Sequence, residues 1–194
     1  MNDFERVIAG GGVALFPADT VYGLACDPES EAAVRRLYEI KGRPPERPAA
    51  VMFFQVRPAL AALPQLGPRT CDAFERLLPG PVTLLVPNPE RLFPLACGPA
   101  PERLGVRVPD VPLLSDVGRP VLQSSANPSG GADSRRVHDI DERIRDEVEL
   151  VIDGGELPGT ASTVIDLTAY ERAGTYEIVR EGALAADELE RRLR

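Results

Sequence analysis

Short apolar runs separated by unequal intervals constrain the fold of this chain more than any other feature. Val13–Phe16, Ala49–Phe54, Val82–Val86, Leu104–Val108, Val121–Ser125, Leu150–Ile152, Ser162–Leu167 and Tyr176–Arg180 each span only three to six residues. Runs that short, bounded by proline, glycine or charge, read as strands. Residues 30–40 read as a helix: Ser30 suits an N-cap, Val34, Leu37 and Tyr38 share one face, and Gly42 with Pro44 stops the pattern. Two short helices fit 57–78, a polar one fits about 137–148, and an amphipathic one fits 185–193. Several strands follow one another across a loop alone, which breaks a regular βαβ series. The pattern predicts an α/β fold on a mixed, twisted sheet with flanking helices, not a purely parallel one. With 194 residues, 43% of them apolar, and no internal repeat or linker, 1–194 reads as one domain.

The formal net charge of −8 opposes broad electrostatic binding to nucleic acid or to an anionic membrane, while leaving room for a local basic pocket. Cys26, Cys71 and Cys97 are odd in number, widely spaced and without a metal-ligand pattern. They read as reduced, structural thiols of a cytoplasmic protein. No run approaches the twenty or so apolar residues of a membrane span, and Met1–Arg6 lacks the order of a signal peptide. His138, the only histidine, lies in a charged stretch, which disfavours a Ser-His-Asp triad. Clusters of metal-ligating residues are absent from the sequence pattern, so any metal is expected to arrive with a nucleotide.

Lys41 is the only lysine among twenty-two basic side chains, the rest being arginine. Such a skew suggests that arginine has replaced lysine wherever a bare charge suffices; chance survival is the alternative. A compact three-donor ammonium does what a planar guanidinium cannot. Lys41, Arg43 and Arg47 fall within seven residues stiffened by Pro44, Pro45 and Pro48, a loop able to hold a polyphosphate or carboxylate, or simply a solvated charge run. Three further segments stand out. Pro17–Leu24 places Asp19 and Thr20 directly after a strand, as a ligand-binding strand end or an Asp-Thr turn. Gln123–Gly131 gathers hydroxyls, an amide and glycines after another strand, as an oxyanion nest or a plain turn. Arg107 interrupts an apolar strand, and Ser162 and Arg180 sit at strand ends. An arginine buried there needs an anion, whether a ligand or a structural partner. Neither a Walker-type nor a Rossmann-type glycine motif is present.

Seven pieces in order resemble the threonylcarbamoyl-AMP synthase (YrdC-like) family over nearly the whole chain. They are Pro17–Leu24, Lys41-Gly42-Arg43-Pro44, Pro79–Thr83, Val106–Pro109, Ser125–Gly130, Ser162–Asp166 and Val179–Gly182. The resemblance implies a cytoplasmic nucleotidyltransferase that condenses L-threonine, bicarbonate and ATP to threonylcarbamoyl-adenylate and pyrophosphate. Downstream proteins then modify tRNA with the product. It also implies a mixed sheet carrying a large concave basic pocket. By the same resemblance Lys41, Arg43, Ser125 and Asn127 form the catalytic set. Thr20, Arg107, Ser125 and Ser162 contact threonine; Arg43, Arg47, Asn127 and Arg180 contact ATP. Mg2+ is expected with ATP, with no protein side chain as its ligand and no tightly bound organic cofactor. Ala18, Arg47 and Met52 depart from the family pattern. An RNA-binding or ribosome-assembly factor using the same concavity is the alternative, opposed by the net charge and by the scarcity of basic-aromatic clusters.

Overall fold

The computed structural model describes residues 2–194. The chain opens with α1 (Asp3–Ala9), whose first turn is capped by Asn2 accepting from the Glu5 amide at 2.9 Å. Then come β1 (Ala14–Pro17), β2 (Tyr22–Cys26), α2 (Glu31–Lys41), β3 (Ala50–Met52), α3 (Val56–Ala61) and α4 (Pro68–Leu77). The middle of the chain holds β4 (Val82–Pro87), α5 (Pro94–Cys97), β5 (Arg103–Arg107) and β6 (Val121–Ser125). It ends with α6 (Glu142–Asp146), β7 (Leu150–Val151), β8 (Thr163–Asp166), α7 (Tyr170–Ala173), β9 (Glu177–Arg180) and α8 (Ala186–Leu193).

The strands form one nine-stranded sheet in the order β7-β1-β2-β6-β3-β5-β4-β8-β9. The β1–β7, β3–β5 and β4–β8 pairs are parallel and the other five antiparallel, so the sheet is mixed as the spacing of apolar runs implies. Side chains alternate between its faces, and that alternation explains where the site lies. Leu15, Leu24, Leu122, Val51, Val106, Leu84 and Ile165 point to one face, where they form the main core with Leu37 of α2, Phe74 of α4 and Leu189 of α8. On the other face α1 sets Phe4 and Ile8 against Phe16, Met52 and Phe54. Phe4 packs edge-on against Phe16 and Phe54 at 5.5 and 5.6 Å, each pair contributing about 0.5–1.5 kcal/mol beyond area burial. Ala50, Gly105, Leu85 and Val164 share that second face farther along the sheet, and there they line an open cleft.

Several elements differ from the sequence expectation. Residues 18–21 form a tight connection, with the Ala18 amide donating to the Val21 carbonyl at 3.3 Å, and the full strand β2 begins inside the Pro17–Leu24 segment that read only as a strand end or turn. The polar helix expected at about 137–148 is a 3-10 turn (Val137–Asp139) and the separate α6, because Ile140 is extended and Asp141 restarts the helix by capping the Arg143 amide at 3.0 Å. Three short helices, α1, α5 and α7, carry too few periodic residues to stand out. His138 is exposed beside Asp139. The three cysteines are free, with burial pushing the Cys26 thiol up to about 12. Among the described residues, no helix is long and apolar enough to cross a membrane.

Candidate active site

The cleft over β6, β3, β5, β4 and β8 has a volume of about 540 Å³. Five cations, Lys41, Arg43, Arg103, Arg107 and Arg180, line it against one carboxylate, Asp133. The chain therefore concentrates positive charge in one concavity despite its acidic total.

Lys41 closes α2, and Gly42, in the left-handed conformation at φ 58°, stops the helix. That geometry sends the Lys41 side chain toward the loop after β6. Its Nζ donates to the Ser125 carbonyl, to the Asn127 carbonyl at 2.6 Å and to Asn127 Oδ1 at 3.1 Å. Ser125 Oγ donates to the same Asn127 Oδ1 at 2.6 Å, and the Ser129 amide donates to the Lys41 carbonyl at 2.9 Å. All three ammonium protons are thus spent on the loop, in a site where Lys41 is only 3% exposed. Burial, then the neighbouring Arg43 charge, pulls its pKa down to about 8, with Asp133 opposing. An ammonium so placed organises Ser125 and Asn127 and adds a fixed charge to the cleft wall.

Arg107 is 4% exposed at the end of β5. Its Nη2 donates to Asp19 Oδ1 at 2.8 Å and to Thr20 Oγ1 at 3.2 Å, and its Nη1 reaches Gln123 Oε1 at 3.5 Å. Asp19 also accepts from the Asp110 amide at 3.4 Å. Burial raises the Asp19 pKa and lowers that of Arg107, and each partner's charge opposes the other's shift. Nε of Arg107 is buried without a hydrogen-bond partner.

A third cluster stands at the edge formed by β8 and β9. Arg180 Nη2 donates to the Ser162 carbonyl at 2.6 Å and to Ser162 Oγ at 3.3 Å, and Ser162 Oγ meets Thr83 Oγ1 at 2.9 Å. Gly182 lets the two chains approach: a Cβ there would lie 2.3 Å from the Ala161 carbonyl oxygen and 2.5 Å from the Ser162 carbonyl carbon. No side chain fits that gap.

The structure thus brings Lys41, Arg43, Arg107, Ser125, Asn127, Ser162 and Arg180 into one cleft. Two expected residues stand apart. Thr20 is buried behind Arg107 and acts on the guanidinium, not on the cleft surface. Arg47 is exposed on the proline loop and does not line the cleft: it closes a turn, its amide donating to the Pro44 carbonyl at 3.1 Å, and the chain meets the cleft again only at Pro48. Of the departures, Ala18 and Met52 are buried in the α1-side core. Sequence reasoning assigned no role to Arg103, Gly105, Thr83 or Asp133. The first two had a legible signal, since 103, 105 and 107 fall on one face of a strand by period two.

The family model of Sua5, YciO and YrdC proteins, described as "Telomere recombination", matches residues 6–182. A threonylcarbamoyl-AMP synthase of Pyrococcus abyssi is 33% identical over 198 residues, covering 96% of this chain and 56% of that protein. The chain thus spans little more than half the length of this relative. The threonylcarbamoyl-AMP synthase of Pseudomonas aeruginosa PAO1 is 35% identical over 157 residues, covering 79% and 84%. The crystal structure of P. abyssi Sua5 complexed with L-threonine superposes with a TM-score of 0.84 at 32% identity, over 96% of this chain and 55% of that one. Fold, ordered motifs and sequence relatives agree: this chain belongs to the Sua5/YciO/YrdC family.

Proposed function

We propose that this protein is a threonylcarbamoyl-AMP synthase, joining L-threonine, bicarbonate and ATP to give threonylcarbamoyl-adenylate and pyrophosphate for tRNA modification in the cytoplasm. The observation that carries this reading is the Lys41–Ser125–Asn127 network beside Arg43, Arg107 and Arg180 in one cationic cleft. The names of the relatives support it.

Both steps bring anions together. The threonine amine adds to bicarbonate with loss of water, giving a carbamate. A carbamate oxygen then attacks the α-phosphorus of ATP, the bond to the β-phosphate oxygen breaks, and pyrophosphate leaves. Two negative partners repel, so a wall of fixed cations lowers the barrier chiefly by positioning them and by neutralising charge that develops at phosphorus. Arg107, a cation in the cleft wall, suits the amino-acid carboxylate, and Ser162 lines the same cleft for threonine contact. Arg43 and Arg180 suit the phosphates, and the Ser125–Asn127 loop offers a hydroxyl and an amide between the two regions. No covalent enzyme intermediate is needed.

Among the described residues no group of three or more His, Cys, Asp or Glu side chains could hold a metal, and Asp133 is the one carboxylate in the cleft. That donor set fits a magnesium ion carried by nucleotide phosphates better than a resident ion. Such an ion would neutralise the departing pyrophosphate. Downstream partners would take the adenylate to tRNA. The test is pyrophosphate release from ATP, threonine and bicarbonate with each omitted in turn, with mass spectrometry for the adenylate. Release that ignores the omission of threonine would sink the reading.

A further inference from the structure

Tyr38 does not line the cleft. It lies on α2 one turn before Lys41, buried to 6% exposure. Its ring sits under Arg43, the guanidinium carbon 5.7 Å from the ring centroid, within cation–π range. Its hydroxyl donates to the Arg47 carbonyl at 3.0 Å. One side chain therefore grips the proline loop at two points, under its first cation and at its far end. Gly98, at φ 57°, also packs against this loop so closely that a Cβ would stand 2.6 Å from the Glu46 carbonyl oxygen and 3.1 Å from the Pro48 nitrogen. The Ala49 amide also donates to the Ala96 carbonyl at 2.9 Å.

Arg43 has little else to hold it. Its Nη2 donates to the Pro48 carbonyl at 2.5 Å, within its own loop, and its Nε is buried without a partner. Among the described residues no carboxylate forms an ion pair with Arg43, in contrast to Arg107 with Asp19 and Arg103 with Asp166. A cation intended for an anionic ligand gains by this, since an internal carboxylate would compete with the ligand. The aromatic face supplies attraction without a negative charge.

We propose that Tyr38 is the positioning residue of the cation loop: it orients Arg43 toward the cleft through its ring and fixes the loop's far end through its hydroxyl. The proposal rests on the reading of Arg43 as a phosphate-holding cation. A purely structural tyrosine of the core would affect melting temperature alone, whereas a positioning residue also changes anion affinity in folded protein.

The experiment uses the full chain with two readouts, calorimetric binding of inorganic tripolyphosphate and the KM for ATP in pyrophosphate release. Y38L removes ring and hydroxyl. It is expected to weaken tripolyphosphate binding and raise the KM for ATP by about tenfold, while kcat changes less than KM. Y38F keeps the ring and loses the hydroxyl with its bond to Arg47, so a shift of about two- to threefold is expected with melting temperature nearly unchanged. Unchanged tripolyphosphate affinity in folded Y38L overturns the proposal. If Y38L does not fold, unchanged affinity in Y38F overturns it. Weakened tripolyphosphate binding in the variants, with wild-type pyrophosphate release indifferent to threonine, would overturn the synthase reading and leave the role of Tyr38 standing.

Discussion

Replacing Lys41 by arginine keeps the charge and changes only the shape of the head group. In the structure three protons on one nitrogen converge on the Ser125 carbonyl, the Asn127 carbonyl and Asn127 Oδ1. A planar guanidinium directs its protons outward in one plane and needs more room, which a residue 3% exposed does not have. At least one of the three charge-assisted bonds is lost, at about 1.5–3 kcal/mol, and its acceptor is left buried. The Ser129 amide bond to the Lys41 backbone survives, so the loop stays attached but loses its fixed geometry. A penalty of about 2 kcal/mol on the competent loop reduces its population roughly thirtyfold, so kcat/KM should fall at least tenfold in a folded protein. The assay is pyrophosphate release, paired with hydrogen exchange at the Ser129 and Gly131 amides, which report the loop directly. Near-normal turnover with unchanged exchange would refute the reasoning and make the lone lysine a compositional accident.

Asp19→Asn leaves the buried Arg107 without its countercharge; we expect a loss of about 3–5 kcal/mol of stability, read by denaturant unfolding, together with a higher KM for threonine. Equal stability would show that Thr20 and Gln123 suffice. Gly105→Ala adds one methyl on the cleft floor, where a Cβ meets nothing closer than 3.5 Å; melting temperature should hold while activity falls severalfold, and unchanged kinetics would mean that no ligand reaches the floor. Activity should decline as pH rises through about 8, where Lys41 loses its proton, and Asp133→Asn should move that limb to lower pH because Asp133 raises the lysine's pKa. Stability runs the other way: between about 8 and the ordinary 10.5 the unfolded chain binds the proton more tightly, so this group's contribution to stability rises with pH. An alkaline activity loss accompanied by unfolding would contradict the assignment.

The strands were legible because their apolar runs carry the period-two signal themselves. The strand order was not, because it depends on pairings between residues up to more than a hundred positions apart, such as Ala14 with Leu150. For the site, ordered motifs located Lys41, Ser125, Asn127 and Arg107 without showing how they bond. Lys41 was expected to present its charge to phosphates; the structure spends its protons on the loop, a distinction set by how α2 ends relative to β6. Thr20 looked like a ligand contact because a hydroxyl after a strand usually faces a cleft. It faces Arg107 instead, since the connection between β1 and β2 carries Asp19 and Thr20 to the end of β5. Arg47 read as a second nucleotide-facing cation on the same proline loop, although it departs from the family pattern, and the turn from Pro44 to Arg47 leaves it exposed outside the cleft.

The charge distribution decides between a small-anion site and a nucleic-acid surface. The chain has twenty-two cations and thirty acids, and the cleft takes five of the former and one of the latter. The surface outside the cleft is therefore more acidic than the net −8 suggests. A long polyanion could not confine its contacts to the cleft and would also meet a surface on which carboxylates outnumber cations. A triphosphate or a carboxylate can enter the concavity and meet mainly cations over a low-dielectric floor of Ala50, Gly105, Leu85 and Val164. The same arrangement that draws in a small anion repels a large one.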